Sequence, residues 1–140
     1  MMALLMNDTD MDRMLNEICP KGETYRAKAW GTIMAGTAEV LTLGALSNTY
    51  CYLGISEHYL VIAIVGTLNI DTIKGKICLP FDKIESVSVK HGIFPSQRII
   101  KLNSENVKLK ISLINNPLGA KVKNQKEGMN GICEALTSLK

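Results

Sequence analysis

The stretch VKLKISL (residues 107 to 113) alternates without exception. Val107, Leu109, Ile111 and Leu113 fall on one side, and Lys108, Lys110 and Ser112 on the other. A period of two with one apolar side belongs to a half-buried strand, and it leaves such a segment little freedom to be anything else. It is the last of a series. SQRIIKL (96 to 102) precedes it across the turn residues NSEN (103 to 106), so the two form a hairpin. Upstream, KIESVSVKHG (83 to 92) turns Val87 and Val89 one way and Ser86, Ser88 and Lys90 the other, and KICLPF (76 to 81) aligns Ile77, Leu79 and Phe81. Pro80 lacks an N–H to donate, so it marks where one strand leaves its ladder. Asp82-Lys83 then lets the chain re-enter, with Ile84 as the next anchor.

Further back, CYLGIS (51 to 56) and YLVIAIVG (59 to 66) are separated by Glu57-His58 alone, which predicts a tight hairpin even without Asn-Gly turn chemistry. The second run is apolar on both faces. One face must meet the barrel interior and the other a helix, a terminal segment or another subunit. TYRAKAWGTIMA (24 to 35) also alternates, with Arg26 and Lys28 on one side and Tyr25, Ala27 and Ala29 on the other. TAEVLTLGALSNT (37 to 49) reads as strand continuation ending in a turn, or as a short helix. A turn is expected from Asn69 to Gly75.

Helical spacing appears only at the ends. In NDTDMDRMLNEIC (7 to 19), Asn, Asp and Thr offer N-caps, acids fill the first turn, and Met11, Met14, Leu15 and Ile18 recur at i, i+3, i+4 and i+7. Pro20 stops that helix. The tail NQKEGMNGICEALTSLK (124 to 140) puts Met129, Ile132, Cys133, Leu136 and Leu139 on one face, despite Gly128 and Gly131.

About seven strands in succession leave two bare edges unless the sheet curls, and an amphipathic terminal helix can stopper the opening. The predicted fold is mainly β: a partly open barrel of about seven antiparallel strands over residues 23–114, capped by a C-terminal helix over 124–140, with a short N-terminal helix over 7–19. At 140 residues a chain buries about two thirds of its unfolded surface, enough for one domain without staples. Apolar residues at 46% and charged residues at 21% are those of a soluble globular protein. The longest uninterrupted apolar run is about half the ~20 residues that a spanning helix needs. The acidic N-terminus resembles neither a signal peptide nor a basic presequence, so a cytoplasmic chain, peripheral to a membrane at most, is expected.

Cys19, Cys51, Cys78 and Cys133 are spaced too widely for zinc or redox motifs and read as reduced, mostly buried thiols. Neither metal nor cofactor is called for. An enzyme needs a nucleophile or base held by partners. The best candidates, His58 and His91 with Cys51 or Cys78, fall in a turn, at a strand end and in apolar strands, so no catalytic residue is assigned. Trp30 reads as a core or rim residue.

Charge is divided unequally. Residues 1–70 carry four basic against seven acidic residues, a net of −3, whereas residues 71–140 carry twelve against six, a net of +6. An alternating strand must show something polar to water, so solvation alone could account for these lysines. The functional reading is a basic face of Arg98, Lys101, Lys108, Lys110, Lys121 and Lys123, with Lys126 nearby.

The element order is similar to a pleckstrin-homology-like barrel, and three stretches carry the likeness: Gly22-Glu23, YLGISEHYLVIA (52 to 63) and LPFDKIESVSVKHGIF (79 to 94), with its Pro80, Ile84 and Val87. These resemble the small bacterial PH/GRAM-like domains, the YokE-like proteins among them. The resemblance implies a non-enzymatic adaptor or oligomerising module. It does not carry over an inositol-phosphate site, because Ala29 to Ile73 contain no Lys or Arg. Two roles follow. One is protein–protein interaction or self-assembly into a homo-oligomer, suggested by the doubly apolar strand and by a bare edge open to strand addition. The other is binding of anionic membrane lipid head groups through the basic face. Nucleic acid is disfavoured, because 5% aromatic residues leave few stacking platforms.

Overall fold

The computed structural model describes residues 6–34, 39–40, 44–45, 49–65, 73–92, 96–104, 107–115 and 120–139. In chain order these form β1 (Met6–Asn7), α1 (Asp8–Glu17), β2 (Ala27–Ile33), β3 (Glu39–Val40), β4 (Gly44–Ala45), β5 (Thr49–Ile55) and β6 (Tyr59–Val65). There follow β7 (Ile73–Pro80), a 3₁₀ turn (Phe81–Lys83), β8 (Ile84–His91), β9 (Gln97–Ser104), β10 (Val107–Ile114), β11 (Ala120–Lys121) and α2 (Gln125–Thr137).

Seven strands pair antiparallel in the order β7-β6-β5-β2-β10-β9-β8, and the short β3-β4 hairpin adds beside β10 on the same edge as β2. Among the described residues no ladder joins β7 to β8, so the sheet is a partly open barrel, as its alternating strands predict. The Pro80 corner is the 3₁₀ turn that carries the chain from one open edge to the other. The chain enters β7 at Ile73, three residues before the expected Lys76, and pairs it with β6 across a register irregularity at Ile64/Val65. Of the segment 37–49, Glu39–Val40 and Gly44–Ala45 are strands; most of the remainder lies outside the described residues.

Two apolar clusters sit on opposite sides of this sheet. Inside the barrel, Ile33, Leu53, Ile62, Ile100, Ile111 and Leu113 pack against Met129, Ile132 and Leu136 of α2. Outside, Trp30, Tyr52, Val61, Ala63 and Val65 pack under Met6, Met11, Met14 and Leu15. The second apolar face of β6 is therefore covered by the N-terminal helix. Tyr25 was expected beside Ala27 and Ala29, but it joins the outer cluster. Strand geometry begins only at Ala27, so parity does not extend back to it.

Asn7 caps α1, its side chain accepting from the Asp10 N–H, and Asp8 and Asp10 occupy the first turn. The chain enters α2 where β2 and β10 part: their ladder is confined to Thr32/Ser112 and Ile33/Ile111. Beyond that, Gln125, 2% exposed, replaces a strand. Its Nε2 donates to the carbonyls of Trp30 (2.9 Å) and Ile114 (3.2 Å), while its Oε1 accepts from the Trp30 N–H (3.0 Å). Gly128 then lies on β2 so closely that a Cβ would run into the Lys28 carbonyl oxygen. A Cβ at Gly131 would come within 2.8 Å of the Ala27 methyl. The two glycines are the notch by which the helix reaches the core.

Candidate anion-binding face

The outward side chains of β8, β9 and β10 follow from the register. Lys101 stands directly opposite Lys110, with Ser88 on the far side of Lys101. Asn103 stands opposite Lys108 and beside Ser86, and Lys90 stands opposite Ile99. Lys90, Lys101 and Lys108 are exposed and Lys110 is half-buried. The inward partners Ile100, Leu102, Leu109, Ile111 and Leu113 are buried, which fixes the lysines outward by pleat alone.

Hydroxyls and amides complete the face: the Asn103 amide donates to Ser86 Oγ (3.0 Å) and the Gln97 amide to Ser112 Oγ (2.7 Å). Among the described residues, none of these four lysines makes an ion pair. Like charges directly opposite across a ladder are unfavourable, so the Lys101–Lys110 juxtaposition costs the fold something that solvation does not require.

The sequence-predicted basic residues do not form one face. Lys101, Lys108 and Lys110 are brought together here, with Lys90, which the spacing alone did not single out. Arg98 has the inward parity of β9 and lines a small cleft with Lys126, Ser96, Asn115, Met129 and Asn130; its Nη1 donates to the Gln97 carbonyl (3.1 Å). Lys121 and Lys123 stand instead with Arg26 and Lys28 around a cleft of about 820 Å³ between α1 and the start of α2. Acids are interleaved there. Lys28 pairs with Asp12, and Asp8 Oδ2 accepts from the Lys123 N–H (3.0 Å).

Of the four catalytic candidates, Cys51 and His58 are taken up by the fold. Cys51 is fully buried in the core, and burial pushes its thiol pKa up. Cys78 is likewise raised by burial. His58 is bound to Glu23. One Glu23 carboxylate oxygen accepts from Ser56 Oγ (2.6 Å) and from the His58 N–H (3.0 Å), and the other lies 3.0 Å from His58 Nδ1. Hydrogen bonds from Ser56 and His58 hold the Glu23 carboxyl at about 2, and the same pairing raises His58. The carboxylate staples the β5-β6 hairpin, which explains a tight turn without glycine. All four cysteines are free thiols, but they are not mostly buried as expected: Cys51 is buried, Cys19 and Cys133 are half-buried and Cys78, near the open edge of the sheet, is exposed. Among the described residues no cluster of three or more His, Cys, Asp or Glu could hold a metal, and no helix is long and apolar enough to cross a membrane.

No family model matches the chain, and no curated protein matches it. Solved structures do. The C-terminal domain of an unknown protein from Leishmania infantum is similar at TM-score 0.53 and 10% identity, over 89% of this chain and 93% of that one. The hSac2 domain from the human phosphoinositide phosphatase Sac2 is similar at TM-score 0.53 and 13% identity, over 92% of this chain and 78% of that one. Likeness at that identity shows the fold alone.

Proposed function

We propose that this chain is a non-enzymatic, pleckstrin-homology-like binding module that docks on anionic lipid head groups through the outer face of β8, β9 and β10. The observation that carries the reading is the Lys101–Lys110 pair, set directly opposite on a face where Lys90 adds charge of the same sign; Lys108 lies on that face too, with Glu39 opposite it across the short β3 ladder. A purely solvated strand would be better served by alternating signs. The order of elements, seven antiparallel strands closed by a helix, supports the pleckstrin-homology-like reading. That one similar structure is a domain of a phosphoinositide phosphatase is in keeping with a lipid surface.

The test is flotation with phosphatidylserine-containing vesicles at low and high salt. Binding at low salt that weakens steeply with added salt, and that a Lys101→Glu/Lys110→Glu double variant loses, is the expected result. A chain that stays with the soluble fraction at low salt overturns the reading.

A second reading, self-assembly by strand addition, is favoured by the free outer edge of β7, which pairs only with β6 among the described residues. It predicts a defined oligomer in native mass spectrometry, and a monomer at high concentration refutes it. The doubly apolar β6 no longer supports it, because α1 covers that face.

A further inference from the structure

Tyr50 is the exposed large hydrophobic side chain among the described residues, at 42%. It belongs to the same outer surface as the lysines. Tyr50 stands opposite Thr32, Thr32 opposite Ser112, Ser112 opposite Ile99, and Ile99 opposite Lys90, one unbroken row across five strands. Lys101 and Lys110 lie in the adjoining row. At about 4.8 Å per strand, Tyr50 sits two strands, or about 10 Å, from the β10 positions that carry Ser112 and Lys110. Its ring meets Trp30 edge-on, with centroids 6.3 Å apart and planes at 61°. Trp30 is itself buried in the outer cluster, so the tyrosine is braced by a diagonal neighbour on the same face of the sheet.

We infer that Tyr50 and the lysine rows form one membrane-interfacial surface, in which Tyr50 enters the boundary between head groups and acyl chains of an anionic bilayer while the lysines stay among the phosphates. This rests on the reading of the lysine face as a head-group site and names how that site meets the lipid. The chemistry matches the two layers of the interface. An ammonium near an anionic surface raises partitioning by about fivefold, and a tyrosine ring with an apolar body and a polar tip is suited to the layer just below. A nucleic acid would need successive aromatic platforms on the face, and Tyr50 stands there without a second exposed aromatic among the described residues.

The chain holds one tryptophan, and Trp30 touches Tyr50, so it reports on this boundary directly. The full-length chain is mixed with phosphatidylcholine vesicles containing phosphatidylserine, with and without bromine on the acyl chains, and read by both flotation and Trp30 emission. The expected result is flotation with quenching by the brominated chains. Tyr50→Ser should then bind about tenfold more weakly, the change for keeping on the order of 50 Å² of apolar area in water, while Tyr50→Phe retains binding. Flotation without quenching, together with wild-type affinity in Tyr50→Ser, overturns this inference and leaves head-group binding standing. Failure of the wild-type chain to float overturns both. Should Tyr50→Ser lose its fold, quenching in the wild-type chain decides alone. Preference for a single-stranded oligonucleotide over vesicles also counts against it.

Discussion

One half of the sheet's outer surface is apolar and roofed; the other half of the same sheet is cationic and open. On β2, β5 and β6 the outward positions under α1 are Trp30, Tyr52, Val61, Ala63 and Val65, while Tyr50, on the same face of β5, stays exposed at the border between the halves. On β8, β9 and β10 the outward positions include Ser86, Ser88, Lys90, Lys101, Asn103, Lys108 and Lys110, while Ile114, at the end of β10, packs against the roofed cluster. The backbone ladders are equivalent, so the side chains alone decide which half is covered. A strand apolar on both faces announces a roof, and a strictly alternating one announces a surface.

The seam between the halves, where β2 parts from β10, is where the largest effect is expected. Gly128→Val would drive its side chain into the Lys28 carbonyl, an obstacle of backbone that cannot swing aside. The loss should be about 3 kcal/mol or more, at or above the upper range for overpacking, read as a lowered midpoint in urea. A variant as stable as the wild type would mean that α2 does not approach β2 as closely as the notch implies. Next in size is the roof itself. Leu15→Ala removes a fully buried contact of α1 and should cost about 2 to 5 kcal/mol. Lys101→Ala, on the open half, should cost nothing. Equal effects at the two positions would erase the distinction between the halves.

Much of this was legible in the sequence, for reasons that are local. The period of Val107 to Leu113, the Pro80 corner, the Glu57-His58 turn and the heptad-like spacing of Met11, Met14 and Leu15 each depend on neighbours in the chain. What escaped depends on partners far away. Gly128 and Gly131 looked like weak points in a helix, because only the position of β2 turns a missing Cβ into room for docking. Gln125 is a polar residue at a helix start until the bare edge of Trp30 is known. The supposed basic face divides because pleat parity sends Arg98 inward, and because Lys121 and Lys123 come after the last barrel strand, Lys121 in the separate β1-β11 pair. Sequence could say that β6 needs a second cover, but not which of three candidates supplies it.

Glu23 belongs to this long-range class, and its staple has a pH signature. The folded-state pKa of Glu23 falls from 4.5 to about 2, so its stabilisation is complete above 4.5 and is lost as pH drops toward 2. The folded-state pKa of His58 is raised above 6.5, so its share is complete below 6.5 and fades as pH climbs through the raised value. The staple is therefore strongest between about 4.5 and 6.5. Thermal melts across pH should show that rise and fall, and Glu23→Gln should flatten both limbs. A Glu23→Gln profile parallel to the wild type would place the titrating groups elsewhere. Both groups reach solvent, so the amplitude should be modest and should shrink with salt.

The smallest stability change bears most directly on the open half. Lys101→Ser removes one of two like charges set directly opposite, and relief of that repulsion should stabilise the fold by about 0.2 to 1 kcal/mol. The same substitution should weaken binding to phosphatidylserine vesicles about fivefold, the contribution of one lysine near an anionic surface. The two signs are opposed. If Lys101 were present only to keep β9 wetted, a serine would wet it as well, and binding would not move while the relief of repulsion remained. If instead the lysine were stabilising through its aliphatic stem lying along Ile99 or the sheet, stability would fall while binding stayed constant. Only a face kept charged for something outside the fold gives up binding as it gains stability, so urea titration and vesicle flotation on this one variant decide among the three.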